Sequence, residues 1–251
     1  MESTVLTRRY TLIDLLRGAA VLAMIAYHVI WDLVEIYGVE IGNFGDRPQW
    51  RIVIQRTIRW SFIFLSGFCF QMGRKKLKRG LIVFGSSILV TLVTMAITPA
   101  SAIHIGVLTL LGSAMLLTLP LDKIFSKISG WIGVPVCLLL FLATEFVEQG
   151  YIGREPWKLE LPWQLYDNYF TAWLGFPHPI DFWSSDYVPL IPWLFAFWIG
   201  YFTYSIFKKQ NWLPVLRCIH FAPLEWIGRN ALVIYLAHQA VIYGVLYLIF
   251  I

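Results

Sequence analysis

Apolar stretches separated by short polar loops recur along the whole chain, at roughly 10–37, 52–72, 81–97, 105–119, 131–147, 188–207 and 226–251. A helix needs about twenty apolar residues to cross a bilayer, so this pattern predicts an all-α polytopic membrane bundle of about seven transmembrane helices. Several stretches are shorter than that, and the shortest are expected to tilt or to be re-entrant. The first stretch departs from the rest. Between Tyr10 and Tyr37 it carries Asp14, Arg17, His28, Asp32 and Glu35. Each ionisable group in hydrocarbon costs at least about 3 kcal/mol, so such groups face a protein interior or an aqueous cavity and pair with one another. At 100° per helical residue, all five fall in one arc about 60° wide. A polar stripe this narrow can line a passage from one membrane face toward the other.

Composition agrees with the pattern. The chain is 58% hydrophobic and only 14% charged, with 12 Trp and a mean hydropathy of +0.66, too apolar for a soluble core to absorb. Arg8 and Arg9 ahead of an apolar run resemble the start of a signal peptide, but the run is long, carries charges and has no small-residue cleavage site, so it reads as a retained first helix. The net charge of +5 is concentrated in short loops rather than in a basic patch interleaved with aromatics, which argues against a nucleic-acid partner. Of the twenty Lys and Arg, only Arg47, Arg51, Arg56, Arg59, Arg154 and Lys158 fall on one side of the bilayer when loops alternate. The positive-inside rule then puts the N-terminus of this multi-pass protein in the cytoplasm. Cys69, Cys137 and Cys218 are scattered, odd in number and without a CxxC pair, so neither a disulfide framework nor a metal site is expected.

No internal repeat is visible, and residues 1–251 read as a single transmembrane domain. Its one sizeable loop, 148–187, holds Trp157, Trp163, Trp173 and Trp183 among prolines, the composition of an amphipathic cap or aromatic belt at the outer interface. A homodimer is left open.

His28 is the residue best suited to chemistry. It lies about 16 Å along the helix from Arg17, and imidazole is the commonest general base. Asp32, one turn further on the same face, is placed to orient the ring and stabilise its protonated form. Arg59 is deep enough in the second stretch to need an anionic partner, either Asp32, Glu35 or an anionic ligand; Arg56 lies nearer the surface, and Arg51 is expected to snorkel. His104 reads as a helix-end or outer-mouth residue, and Asp186 as a carboxylate at the N-terminus of the sixth span. His104 and His238 lie near membrane segments, and two intramembrane histidines on facing helices also suit a haem, though a haem has no use for the acidic and arginine residues of the first helix. A proton-coupled transporter or flippase with Asp14, His28 and Asp32 as its relay is the alternative the stripe leaves open.

Four stretches carry a resemblance. Ile13-Asp-Leu-Leu-Arg-Gly18 with the later Met24 and His28, Phe62-Ile-Phe-Leu-Ser-Gly67, Ile105-Gly-Val-Leu-Thr-Leu-Leu-Gly112, and the run from Trp226 to Gln239 that contains Asn230 and His238 stand in order across almost the whole chain. Together they resemble the bacterial relatives of the heparan-alpha-glucosaminide N-acetyltransferase catalytic domain. The spacing of ten residues between Arg17 and His28 is also similar to the R-x10-H signature of the acyltransferase-3 group. The resemblance implies an integral-membrane acyltransferase. Its donor would be acetyl-CoA or another acyl-CoA from the cytoplasm, its acceptor an amine or hydroxyl of an extracytoplasmic sugar or other small molecule, and its cofactors would include no metal. It carries the base to His28 and donor binding to Arg17; from their places on the stripe and in the second stretch, Asp32 is expected to orient His28, and Asp14 and Arg59 are the further donor-binding candidates. The eukaryotic members use a histidine in the loop after the first helix; this chain has none between Trp31 and Ile103, so the base falls to His28.

Overall fold

The computed structural model describes residues 10–42 and 48–250. Arg8 and Arg9, which enter the reading of the N-terminal segment, and Arg47, which enters the sidedness argument, lie outside the described residues. The protein is an all-α polytopic membrane protein. Seven long helices account for most of its described residues: α1 (Thr11–Glu35), α2 (Pro48–Phe70), α3 (Lys76–Ile97), α4 (Val107–Phe125), α5 (Gly130–Thr144), α6 (Leu190–Lys209) and, after the short α7 (Ala222–Arg229), α8 (Ala231–Phe250). Six of the seven are long and apolar enough to cross a membrane, α5 when counted through its continuation to Gln149. The exception among the expected spans is α2, whose Gln55, Arg56 and Arg59 dilute an otherwise apolar run.

Helix ends follow local chemistry. The turn after α1 closes with Ile36 and Tyr37 N–H donating to the Asp32 carbonyl, and Gly38, at φ +65°, supplies the left-handed residue that stops the helix. Ile191 is extended, so α6 becomes regular at Pro192, the position where a missing N–H costs nothing. The expected last span is in fact two helices. Asn230 ends α7 with a non-helical backbone, and α8 restarts at Ala231.

The chain divides into two compact units, one of residues Met1–Phe62 with Lys208–Ile251 and one of Ile63–Phe207. In the second, α3 packs along α4, and α2 crosses α6. That crossing is made by reciprocal glycines: a Cβ on Gly67 would stand 1.8 Å from the Phe197 carbonyl oxygen, and one on Gly200 2.1 Å from that of Phe64. Only hydrogen in place of a side chain lets these backbones touch, which in a membrane is a main source of helix association. Around the crossing, Phe70, Phe125, Phe197, Tyr201 and Phe202 meet edge to face or tilted. One polar cluster closes the end of this unit. Asp122 on α4 accepts from Lys76 of α3 at 2.6 Å and from the Tyr201 hydroxyl of α6 at 2.7 Å.

The 148–187 loop is more ordered than an interfacial cap requires. A small hairpin pairs β1 (Tyr151–Ile152) with β2 (Leu159–Glu160), two short 3-10 turns follow, and Trp173 turns inward to donate to Ser113 Oγ at 3.1 Å. Trp157, Trp163 and Trp183 stay exposed. Burial, with Glu148 and Tyr166 nearby, pushes the Tyr187 phenol well above its ordinary range, and its hydroxyl donates to the Ala172 carbonyl.

Alanine at Gly67 or Gly200 is expected to destabilise by about 1–3 kcal/mol through backbone overpacking. A Cβ at Gly85 meets nothing within 4 Å, so Gly85→Ala on α3 is expected to be neutral or stabilising. Thermal unfolding of the three purified variants in one detergent checks the ordering.

Candidate functional site

The stripe on α1 lies in the first unit and is met there by α7, α8 and α2. At its start, Gly228 of α7 and Gly18 of α1 bring the two backbones together. A Cβ on Gly228 would stand 1.8 Å from the Asp14 carbonyl oxygen, and one on Gly18 2.2 Å from that of Leu224. Asp14 is buried and pairs with Arg17 across one helical turn at 3.2 Å. Arg17 also donates to the Gly228 carbonyl at 3.3 Å, near the C-terminus of α7, where the helix dipole favours a cation. Its side chain keeps 26% of its surface exposed, so the guanidinium is anchored yet reachable.

Eleven residues on, the His28 Nδ1 lies 2.8 Å from the Met24 carbonyl oxygen. A carbonyl only accepts, so Nδ1 carries the hydrogen and, in the neutral ring, Nε2 presents its lone pair. That is the tautomer a general base needs. The carboxylate expected to orient the ring makes its hydrogen bonds elsewhere, while staying within electrostatic reach of His28. Asp32 is fully buried and takes both of its contacts from Gln239 of α8, whose Nε2 donates to the two carboxylate oxygens at 2.9 and 3.2 Å. The Met24 carbonyl, not Asp32, fixes the imidazole. Asp32 instead ties α1 to α8, and the residue beside Gln239, His238, is thereby set against His28 with ring centroids 4.8 Å apart and planes at 73°. The Nδ1 of His238 in turn faces the Tyr235 carbonyl, and Tyr235 rests against Phe62. With imidazoles this close and edge to face, no haem fits between them.

The stripe ends in an ion pair, Glu35 with Arg51 of α2 at 2.5 Å. Arg51, for which snorkelling is the sequence expectation, instead pairs with Glu35, which the sequence offered as one of three partners for Arg59. Arg59 is half-buried and Arg56 exposed, one turn apart on α2. Asn230 is structural in its visible contacts, its side chain donating to the Trp226 carbonyl at the end of α7.

His104 and Asp186 belong to the second unit. The His104 N–H donates to Ser184 Oγ at 3.2 Å, and its ring stands 6.3 Å from that of Tyr169. Asp186 does not sit at the first turn of α6. Residues 184–188 run beside 101–106, with Val188 N–H donating to the Ile105 carbonyl, and this places the Asp186 carboxylate next to Gly106 at the start of α4. Sequence reasoning found the charged members of the site and missed Gln239 and Gly228. A neutral amide and a glycine inside apolar helices give no energetic alarm; both lie inside the run from Trp226 to Gln239, yet nothing in that run alone marks them as contacts of α1.

An all-α membrane bundle with a buried carboxylate, a histidine in its base-competent tautomer and an anchored arginine on one helix defines the class. The chain belongs to the heparan-alpha-glucosaminide N-acetyltransferase catalytic family: the family's profile, described as "Heparan-alpha-glucosaminide N-acetyltransferase, catalytic", matches residues 9–240. This is a family of membrane acetyltransferases, and the match takes in all of α1 and reaches one residue past Gln239. No curated protein and no solved structure matches the chain.

Gln239→Leu leaves the buried Asp32 carboxylate without its donor and is expected to cost about 3 kcal/mol, whereas pairing it with Asp32→Leu recovers part of the loss. A double-mutant cycle of thermal stabilities reads that coupling directly.

Proposed function

We propose that the protein transfers an acetyl or similar acyl group from acyl-CoA, reached from the cytoplasm, to an amine or hydroxyl of an extracytoplasmic sugar or other small acceptor. The observation that carries this reading is the 2.8 Å contact of His28 Nδ1 with the Met24 carbonyl, which leaves Nε2 of the neutral, membrane-embedded imidazole to accept a proton. Family membership supplies the reaction class.

The chemistry then runs on this chain's own residues. His28 Nε2 accepts the proton of the acceptor N–H or O–H as the acceptor lone pair bonds to the thioester carbonyl carbon. The C–S bond breaks, and the CoA sulfur leaves as thiolate and is protonated to the thiol. Arg17 binds a phosphate of the donor, releasing part of its pairing with Asp14; Arg59 is the second cationic candidate. Asp32 acts at one remove, holding α8 in register through Gln239. The protein works in the bacterial inner membrane, in contact with lipid on its outer faces.

Purified protein in nanodiscs, given acetyl-CoA and an amino sugar, is expected to release CoA thiol and acetylated sugar in equal amounts. His28→Ala should lower kcat by about 10²–10⁴-fold. Turnover unchanged in His28→Ala would overturn the assignment of the base, and solute flux into proteoliposomes without CoA release would establish a transporter instead.

A further inference from the structure

His238 has no part in the scheme above, yet of all ionisable side chains on α8 it is the one brought against His28. Its position is enforced twice. Gln239, its chain neighbour, grips both oxygens of the fully buried Asp32, and its own Nδ1 is turned to the Tyr235 carbonyl. The carbonyl makes that nitrogen the protonated one, so Nε2 is the acceptor, as in His28. Two imidazoles thus meet, each with a backbone carbonyl on Nδ1 and each with its basic nitrogen directed away from that anchor. Asp32 and Tyr27 on α1 and Tyr235 on α8 are the other titratable groups around the pair; Arg56 and Arg59 lie on α2 of the same unit, and Glu225 and Arg229 lie on α7 at the Gly18 end.

We propose that His238 is the second station for the proton that His28 removes from the acceptor. Resting on the acyl-transfer reading, the step balances as follows. His28 Nε2 gains the proton as the acceptor–carbonyl bond forms. A tilt of the rings aligns the two nitrogens, His28 Nε2–H gives the proton to His238 Nε2, and His28 is neutral again. His238 then passes the proton to water, which delivers it to the departing thiolate. A centroid separation of 4.8 Å permits this: with each nitrogen about 1 Å from its ring centre, nitrogens turned to face one another would stand about 2.8 Å apart, at hydrogen-bond distance. A carboxylate at the same place would hold a charge in the resting state, whereas a second imidazole receives the proton from a neutral start. His238 acts through His28 and needs no contact with substrate.

The test uses His238→Gly and His238→Asn in full-length protein in nanodiscs, with acetyl-CoA turnover, added imidazole and ¹⁵N-histidine NMR. Both variants are expected to lose about 10–100-fold in kcat with KM for acetyl-CoA unchanged, and imidazole should restore His238→Gly in proportion to its concentration. His238→Asn, which fills the space but relays no proton, should not respond. In wild type, ¹⁵N spectra should show both rings with Nδ1 protonated and Nε2 unprotonated. Full activity in His238→Asn, or loss in both variants that imidazole leaves untouched, overturns the relay and leaves His238 as packing. Nε2 protonated in the neutral His238 ring overturns it on structural grounds without any assay. If wild type turns over no acyl-CoA, the acyl-transfer reading has failed, and the tautomer measurement still decides whether the pair exists as described.

Discussion

A carboxylate with no exposure to solvent, Asp32, is held by one side-chain amide. That constraint sets the register of α8 on α1, since a buried charge without its donor costs several kcal/mol and sliding the helices by a residue would orphan it. Everything of chemical interest in the first unit follows from the register. Gln239 on Asp32 puts His238 on His28, and the glycine crossing of α1 with α7 puts Arg17 on the Gly228 carbonyl. The stripe on α1 is therefore not a row of independent polar residues facing water. Each member has a partner on α1 itself or a neighbouring helix, and the partners determine which atoms are left to react.

This arrangement separates two roles that a stripe of ionisable residues leaves mixed. Asp14, Asp32 and Glu35 are engaged in Arg17, Gln239 and Arg51. Among the described residues, His28 hydrogen-bonds through its Nδ1, packs against Tyr27 and His238, and keeps a basic nitrogen. A transporter relay built on Asp14, His28 and Asp32 needs carboxylates that gain and lose protons readily, and a carboxylate gripped by two hydrogen bonds from Gln239 is a poor candidate. An acyl-transfer base needs one imidazole of defined tautomer, which is what α1 supplies, and the family to which the chain belongs makes acetyl transfer its reaction class.

The fold was largely legible because a bilayer imposes length and hydropathy on its helices, and the 60° stripe could be drawn from helical geometry alone. Where the reading missed, the cause was a contact between elements. Hydropathy ran 226–251 together because α7 and α8 are both rich in apolar residues; the break at Asn230 is a matter of capping. Asp186 was assigned to α6 by its distance along the chain, but 184–188 pairs with 101–106 and carries the carboxylate to α4. Asp32 was cast as the orienter of His28 because one turn separates them, and the stronger partner, Gln239, lies 207 residues away. Sequence spacing reports neighbours on one helix, and these choices were made between helices.

The most direct test of the account is the position of the thioester in a complex with a non-hydrolysable acetyl-CoA analogue. The carbonyl carbon is expected within about 6 Å of His28 Nε2, leaving room for one acceptor atom in line, with a donor phosphate on Arg17. A thioester found beside His104 instead, with no donor phosphate on Arg17, would contradict it.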